Sequence, residues 1–135
     1  MIGSADEFQR LRTSDDPDQQ RRATHDEAPL SVWRDVVARF PELRFWVAQN
    51  KTVPGEVLAE LAADPDARVR SMVAAKRKLA PALQLQLAAD PDEGVRQRIA
   101  WNSRATRAAL ELLVRDPWPL VAERARARLA AGQYV

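Results

Sequence analysis

Residues 64–70 of the chain read Asp-Pro-Asp-Ala-Arg-Val-Arg, and residues 90–96 read Asp-Pro-Asp-Glu-Gly-Val-Arg. A third Asp-Pro pair begins at Asp116, so the pattern returns at a constant interval of 26 residues. A constant interval of this length is typical of tandem repeats, in which each unit is too small to bury its apolar side chains alone and stacks on the next unit. The repeat is therefore the strongest indication of the fold in this sequence.

Each Asp-Pro pair predicts the start of a helix. An Asp side chain can accept hydrogen bonds from the free N–H groups of the first turn, and Pro is well suited to the first helical position. We therefore expect Asp64, Asp90 and Asp116 to be N-caps. Apolar residues follow with the i, i+4 spacing of a helix buried along one face, at Val69, Met72 and Val73, then at Val95 and Ile99, and then at Val121 and Ala125.

A second helix is predicted in every unit. Residues 54–63 place apolar side chains at positions that match Leu83, Leu87 and Ala88 one interval later, and Ala109, Leu113 and Val114 after that. Asn50 and Asn102 stand in the short connectors between the two helices, where Asn can end a helix. A degenerate earlier copy spans Leu43 to Asn50. The chain is thus predicted to be all-α and built of helix hairpins that repeat every 26 residues.

The N-terminal part departs from this interval. Residues 14–18, Ser-Asp-Asp-Pro-Asp, predict another capped helix over residues 19–25, and residues 28–37 predict an amphipathic helix. Residues 1–12 form either a first helix or a frayed tail. We divide the chain into an N-terminal tail with capping helices (1–37), tandem repeats (38–130) and a C-terminal tail (131–135).

The repeat resembles the leucine-rich repeat variant (LRV) family, and it is similar to short HEAT repeats. The resemblance rests on the Asp-Pro-Asp starts, the Val-Arg pairs and three further stretches: residues 47–50 (Val-Ala-Gln-Asn), residues 99–102 (Ile-Ala-Trp-Asn), and Leu58 with Leu61 and Ala62. It implies a right-handed α-solenoid, or superhelix, in which some helices are of the 3₁₀ type. It further implies a role in binding and no generic catalytic activity. This chain departs from the pattern at residues 75–78, at Gln84 in the place of Leu58, and at Ala122.

Composition excludes several kinds of chemistry. The chain has no Cys, which removes disulfides, thiolate metal sites and cysteine nucleophiles and fits a cytoplasmic location. His25 is the only His, and we expect it to be an ordinary residue near a helix end. No nucleotide-binding loop or metal-ligand spacing is present, so we expect no cofactor and no enzymatic activity. No segment is apolar enough to predict a membrane span.

Arg44, Arg70 and Arg96 occupy one position in three successive units, so stacking would align them as a ladder. One interpretation makes the ladder a binding track for carboxylates or phosphates, reinforced by other arginines of the C-terminal half: Arg98, Arg124, Arg126 and Arg128. The other interpretation makes each ladder Arg the structural partner of an Asp at the start of its own or an adjacent unit.

Two further features are candidate contacts for a partner. Lys76, Arg77 and Lys78 form a basic run in a connector, which is either a phosphate contact or a solvated loop. Trp101 stands where the other copies have Gln49 and Ala75, so we expect its side chain to be exposed. We expect core positions for the other tryptophans, Trp33, Trp46 and Trp118, although Trp118 could instead cover the end of the stack.

These observations predict a non-enzymatic module that binds an unidentified partner protein. The alternative is binding of a nucleic-acid backbone by the basic C-terminal half. Residues 1–66 hold 8 basic and 13 acidic side chains, whereas residues 67–135 hold 13 and 6. This polarity would steer an acidic partner to the C-terminal half or favour head-to-tail contact between copies, and the oligomeric state stays open.

Overall fold

The computed structural model describes residues 1–135, and all of its regular secondary structure is helical. The ten α-helices are α1 Ala5–Thr13, α2 Pro17–His25, α3 Leu30–Arg39, α4 Arg44–Gln49, α5 Gly55–Leu61, α6 Ala67–Ala74, α7 Pro81–Ala88, α8 Glu93–Trp101, α9 Arg107–Leu113 and α10 Pro119–Ala130. A single 3₁₀ turn, Pro41–Leu43, precedes α4. The predicted all-α class is confirmed, and the helices form two compact units, Met1–Leu61 (unit 1) and Ala62–Val135 (unit 2).

Unit 2 contains the clearest copies of the repeat. The first helix of each copy packs on the first helix of the next, α6 on α8 and α8 on α10, and the second helices α7 and α9 pack on each other. Of the apolar positions predicted for the first helices, Met72 is only half-buried. The others are buried: Val69, Val73, Val95, Ile99, Val121 and Ala125. Since they recur at the repeat interval, successive copies share one apolar core.

The predicted N-caps of these helices are wrong by two residues. Asp66 caps α6 by accepting the Arg68 N–H at 2.9 Å, and Asp92 caps α8 by accepting the Val95 N–H at 3.1 Å. The first Asp of each copy accepts the N–H group two residues further on, as Asp64 does from Asp66 at 2.9 Å. In the first two copies this turn uses the carboxylate of the first Asp before the helix begins, and the second Asp caps the helix. In the third copy the N-cap of α10 is Trp118, which makes no side-chain capping bond.

Unit 1 has a core of larger side chains. Phe8 of α1 meets Trp33 of α3 edge to face, with ring centroids 5.4 Å apart, and both rings are fully buried. Ile2 and Leu11 are buried with them. Residues 1–12 are therefore mainly helix α1 rather than a frayed tail, because this apolar face packs against α2 and α3.

Buried amides tie two connectors to the C-terminal ends of helices that lie earlier in the chain, α6 and α2. Asn102 donates to the carbonyls of Ala74 and Lys76 at 2.8 and 2.9 Å, and it accepts the Arg104 N–H at 2.8 Å. Asn50 does the same in unit 1, where it donates to the carbonyls of Ala23 and Asp26. These bonds satisfy carbonyl groups at the C-terminal ends of α6 and α2, which have no partner within their own helices.

Candidate interaction surface

The ladder arginines of unit 2 link successive copies. Arg70 pairs with Asp90 through Nε at 2.8 Å, and Arg96 pairs with Asp116 through Nε at 2.6 Å. Each guanidinium also makes a second, longer bond to the same carboxylate. Both arginine side chains are only 14% exposed, and the pKa of each is raised, mainly by the hydrogen bond to its Asp.

The remaining donors of the ladder bind the backbone. Nη1 of Arg70 donates to the carbonyl of Asp64 at 2.8 Å, and Nη1 of Arg96 donates to the carbonyl of Asp90 at the same distance. Arg44 in unit 1 donates from Nε to the carbonyl of Val37 at 2.9 Å. For Arg70 and Arg96 this geometry agrees with the structural interpretation of the ladder, in which each Arg pairs with an Asp at the start of its own or an adjacent unit.

The basic run lies in the connector between α6 and α7. The carbonyl of Lys76 accepts a hydrogen bond from Asn102, so the backbone of the run is fixed in place. Arg77 and Lys78 are exposed residues, although partial burial still lowers the pKa of Lys78. The charged side chains of Arg77 and Lys78 are therefore exposed, and the hydrogen bond from Asn102 anchors the backbone at the start of the run.

Trp101, the last residue of α8, is exposed as predicted, with 42% of its surface accessible. It borders an open groove of about 250 Å³, whose other lining residues are Ala75, Arg98, Asn102 and Ser103. The guanidinium carbon of Arg124 lies 5.2 Å from the centroid of the Trp101 ring. We call Arg98, Trp101, Ser103 and Arg124 the Trp101 surface. It combines a large aromatic ring with two exposed guanidinium groups.

Arg128 is buried at the C-terminal end of α8, so its prediction as one of the surface arginines is wrong. Only 5% of the residue is accessible. Its Nη1 donates to the carbonyls of Ala100 at 3.0 Å and Asn102 at 2.7 Å, which stand on either side of Trp101. Burial lowers the pKa of Arg128, and the nearby positive charge of Arg124 lowers it further. Arg128 stands one interval after Asn102, and this alignment is the sequence signal that could have placed it.

The other aromatic predictions have mixed outcomes. Trp33 is fully buried, as expected. Trp46 is only partly buried and has Arg12 stacked on its ring at 3.5 Å, and Trp118 is partly buried as the N-cap of α10. The two partly buried rings lie at positions near helix starts that the repeat does not enclose. His25 is exposed as the last residue of α2, which confirms its predicted position near a helix end.

No group of His and carboxylate side chains in the structure could hold a metal ion. None of the ten helices combines the length and the apolar character needed to cross a membrane.

The comparisons with known proteins agree with the repeat. No curated protein and no solved structure matches the chain. A family model, described as the leucine rich repeat variant, matches residues 41–66. The matched segment contains the 3₁₀ turn, α4, α5 and the Asp-Pro-Asp sequence of residues 64–66. The chain is thus similar, over residues 41–66, to the leucine rich repeat variant, the family that its repeated motif predicted.

Proposed function

We propose that the chain is a short α-solenoid that binds a partner protein through the Trp101 surface and catalyses no reaction. The matched family consists of helical repeats that often mediate protein interaction, which supports a binding role. Stacking of equivalent helices in unit 2, α6 on α8 on α10, supports the solenoid. The right-handed superhelix that the family resemblance implies remains a prediction.

The observation that carries the proposal is the exposure of Trp101. The equivalent residues of the other copies are Gln49 and Ala75, so the repeat itself does not require an aromatic ring at this position. Trp is enriched at the energetic centres of protein interfaces, because it offers a large rigid area at a low entropic cost. A large ring that the fold does not bury is therefore best explained by a partner.

The ladder is not part of the proposed surface. Arg70 and Arg96 each bind a carboxylate and backbone carbonyls within unit 2. A partner would have to displace these bonds and leave Asp90 and Asp116 buried without compensation, which is costly. The predicted contacts at Arg44, Lys76, Arg77 and Lys78 remain predictions.

The test is affinity capture from a native lysate treated with nuclease, with wild-type protein and two variants. Trp101→Gln introduces the residue of an earlier copy, and Leu112→Gln is the matched control, because Leu112 is 53% exposed in the same unit and its equivalent is Gln86. We expect proteins that wild type and Leu112→Gln retain and Trp101→Gln loses, with equal melting temperatures for all three. An identical set of captured proteins in all three samples would contradict the proposal.

Binding of a nucleic-acid backbone is the second candidate. Arg77, Arg98 and Arg124 are exposed in unit 2, and none of them forms an ion pair within the chain. Its test is the affinity for random-sequence duplex DNA at several salt concentrations, because binding to phosphates falls steeply as salt rises. Strong binding at low salt that Arg98→Gln and Arg124→Gln abolish would favour this function over the first.

A further inference from the structure

We infer that the Trp101 surface binds an acidic peptide segment, whose carboxylates pair with Arg98 and Arg124 while one of its apolar side chains packs on the Trp101 ring. This inference rests on the proposed function and states the chemistry of the partner. It follows from the groups that line the groove, from the charge beneath it and from its size.

The groove offers hydrogen-bond donors and no carboxylate. The amide of Asn102 already binds the carbonyls of Ala74 and Lys76 and the Arg104 N–H, so it is committed to the fold. The other lining residues with polar side chains are Arg98, Ser103 and Trp101. Guanidinium and indole nitrogens only donate hydrogen bonds, and a hydroxyl can donate. The matching ligand is therefore an acceptor, and beside a guanidinium the strongest acceptor is an anion.

The charges at this surface lack acidic partners within the chain. The ion pairs of unit 2 employ four other arginines, Arg68, Arg70, Arg96 and Arg107. Arg98, Arg124 and Arg128 belong to none of them. Arg124 is close enough to Arg128 for its charge to lower the pKa of the buried guanidinium. A bound anion would relieve this repulsion, which is an electrostatic gain that a neutral ligand cannot provide.

The C-terminal end of α8, beside the groove, also carries an additional positive charge. At the end of α6, a neutral amide, Asn102, binds the free carbonyls. At the end of α8, the charged side chain of Arg128 binds the equivalent carbonyls of Ala100 and Asn102. The C-terminus of a helix carries partial negative charge, which would repel an anion. The cation at the C-terminal end of α8, where Trp101 lies, counteracts that charge, whereas the amide at the end of α6 does not.

The dimensions favour a peptide over a nucleic acid. The groove of about 250 Å³ is smaller than typical small-molecule sites of about 300–1,000 Å³. It accommodates side chains of an extended segment, and a guanidinium fork matches a carboxylate through two parallel bonds. Nonspecific binding to DNA draws on many phosphate contacts. The net charge of the whole chain is only +2, which gives weak long-range attraction for a nucleic acid.

The experiment selects peptides without assuming a sequence. A displayed library of random dodecapeptides is selected on the wild-type protein after depletion on Trp101→Gln, whose fold is checked by circular dichroism. We expect enriched peptides that place Asp or Glu beside an apolar residue. The most enriched peptide is then synthesised with a fluorescent label, together with an analogue in which Asn and Gln replace its acidic residues. Fluorescence polarisation at two salt concentrations measures both affinities.

The variants provide the quantitative test. Loss of one charge-assisted pair corresponds to about a tenfold loss of affinity, so Arg98→Gln and Arg124→Gln should each weaken the acidic peptide by about that factor. Arg115→Gln is the matched control, because Arg115 is an exposed arginine of unit 2 outside the Trp101 surface, and it should leave the affinity within about twofold. The neutral analogue should bind at least about tenfold more weakly than the acidic peptide, and higher salt should weaken the acidic peptide.

Four results would overturn the inference: enrichment of neutral or basic peptides, no enrichment that depends on Trp101, equal binding of the neutral analogue, or an equal loss with Arg115→Gln. Displacement of the peptide by a 20-nucleotide single-stranded DNA at lower concentrations than by unlabelled peptide would also overturn it, in favour of the nucleic-acid function. Neutral peptides that require Trp101 would leave the proposed function standing. Capture that is insensitive to Trp101→Gln would remove that function as well.

Discussion

Arg128 and Gln84 are polar side chains that the fold of unit 2 buries almost completely. Each stands at a repeat position where another copy has a different residue: Arg128 follows Asn102, and Gln84 replaces Leu58 and Leu110. A buried polar group is stable only when its hydrogen bonds are made. The bonds of these two residues therefore decide what their replacement does.

Arg128→Ala should lower the free energy of unfolding by about 2–4 kcal/mol, because it leaves the carbonyls of Ala100 and Asn102 buried without their donor. Chemical denaturation followed by circular dichroism measures the change. Arg124→Ala, which removes a neighbouring exposed arginine, should change stability by less than about 0.5 kcal/mol. Equal effects of the two substitutions would show that the buried hydrogen bonds of Arg128 contribute nothing.

Gln84→Leu should destabilise the protein by about 1–2 kcal/mol, although Leu is the residue of two other copies. Gln84 accepts the Thr106 N–H at 2.8 Å and donates to the Arg104 carbonyl at 3.0 Å, and Leu can replace neither bond. Thermal and urea denaturation of the variant provide the measurement. A more stable variant would indicate that apolar packing outweighs these two bonds.

The sequence could predict part of this chemistry. The exposure of Trp101 followed from the small and polar residues at equivalent positions, because a repeat repeats its environments. Gln84 was visible as a departure from the pattern, but its partners belong to the connector at residues 104–106, and spacing alone does not reveal that contact. The sequence predicts Arg128 to be exposed because a charged side chain is usually at the surface, although position 128 aligns with Asn102.

At the scale of the helices, pairs of Arg and Asp join consecutive copies. Arg96 lies on α8 and its partner Asp116 precedes α10, with the Asp side chain only 2% exposed. The same contact recurs one interval earlier between Arg70 and Asp90. Asp116 also accepts the Trp118 N–H at 2.9 Å. The same carboxylate therefore closes a turn in its own copy and forms the ion pair with the Arg of the preceding copy.

Arg96→Met should cost about 3–5 kcal/mol of stability, since it leaves the buried carboxylate of Asp116 without its partner. The double variant Arg96→Met with Asp116→Asn should cost less than the sum of the two single variants, by about 0.5–3 kcal/mol, because the two side chains contact each other. Urea denaturation of the wild type and the three variants completes the cycle. Additive effects would contradict a coupled pair.

The sequence predicted the elements better than their ends. The i, i+4 spacing of Val95 and Ile99 placed α8 correctly, because burial on one face of a helix requires that period. The predicted caps were two residues too early because Asp90 and Asp92 both accept N–H groups near the start of α8. Asp90 also pairs with Arg70 of the preceding copy, a contact that spacing does not reveal. Local preference therefore could not distinguish between the two carboxylates.

At the scale of the whole molecule, the proposed binding function rests on a position at which one copy of the repeat differs from the others. Units 1 and 2 share the helix-hairpin pattern, yet an exposed Trp surrounded by unpaired arginines occurs only at the end of α8. The repeat itself predicts stacking and identifies no ligand, because the same positions in the other copies serve the fold. Under the proposed function, departures from the repeat such as Trp101 are the positions that would recognise a partner.

Because the copies share an apolar core, a charge introduced into that core should unfold the protein, whereas a charge introduced on the exposed side of the same helix should be tolerated. Leu87→Asp should unfold unit 2, because Leu87 is fully buried and the change removes its packing, worth about 2–5 kcal/mol, and adds an unpaired carboxylate. Together these costs approach the total stability of a domain, about 5–15 kcal/mol.

Leu85→Asp is the control, because Leu85 lies on the same helix and is 37% exposed. We expect circular dichroism at 222 nm to fall sharply for Leu87→Asp and to stay near wild type for Leu85→Asp. A cooperative melt near the wild-type temperature for both variants would mean that the copies do not depend on a shared core.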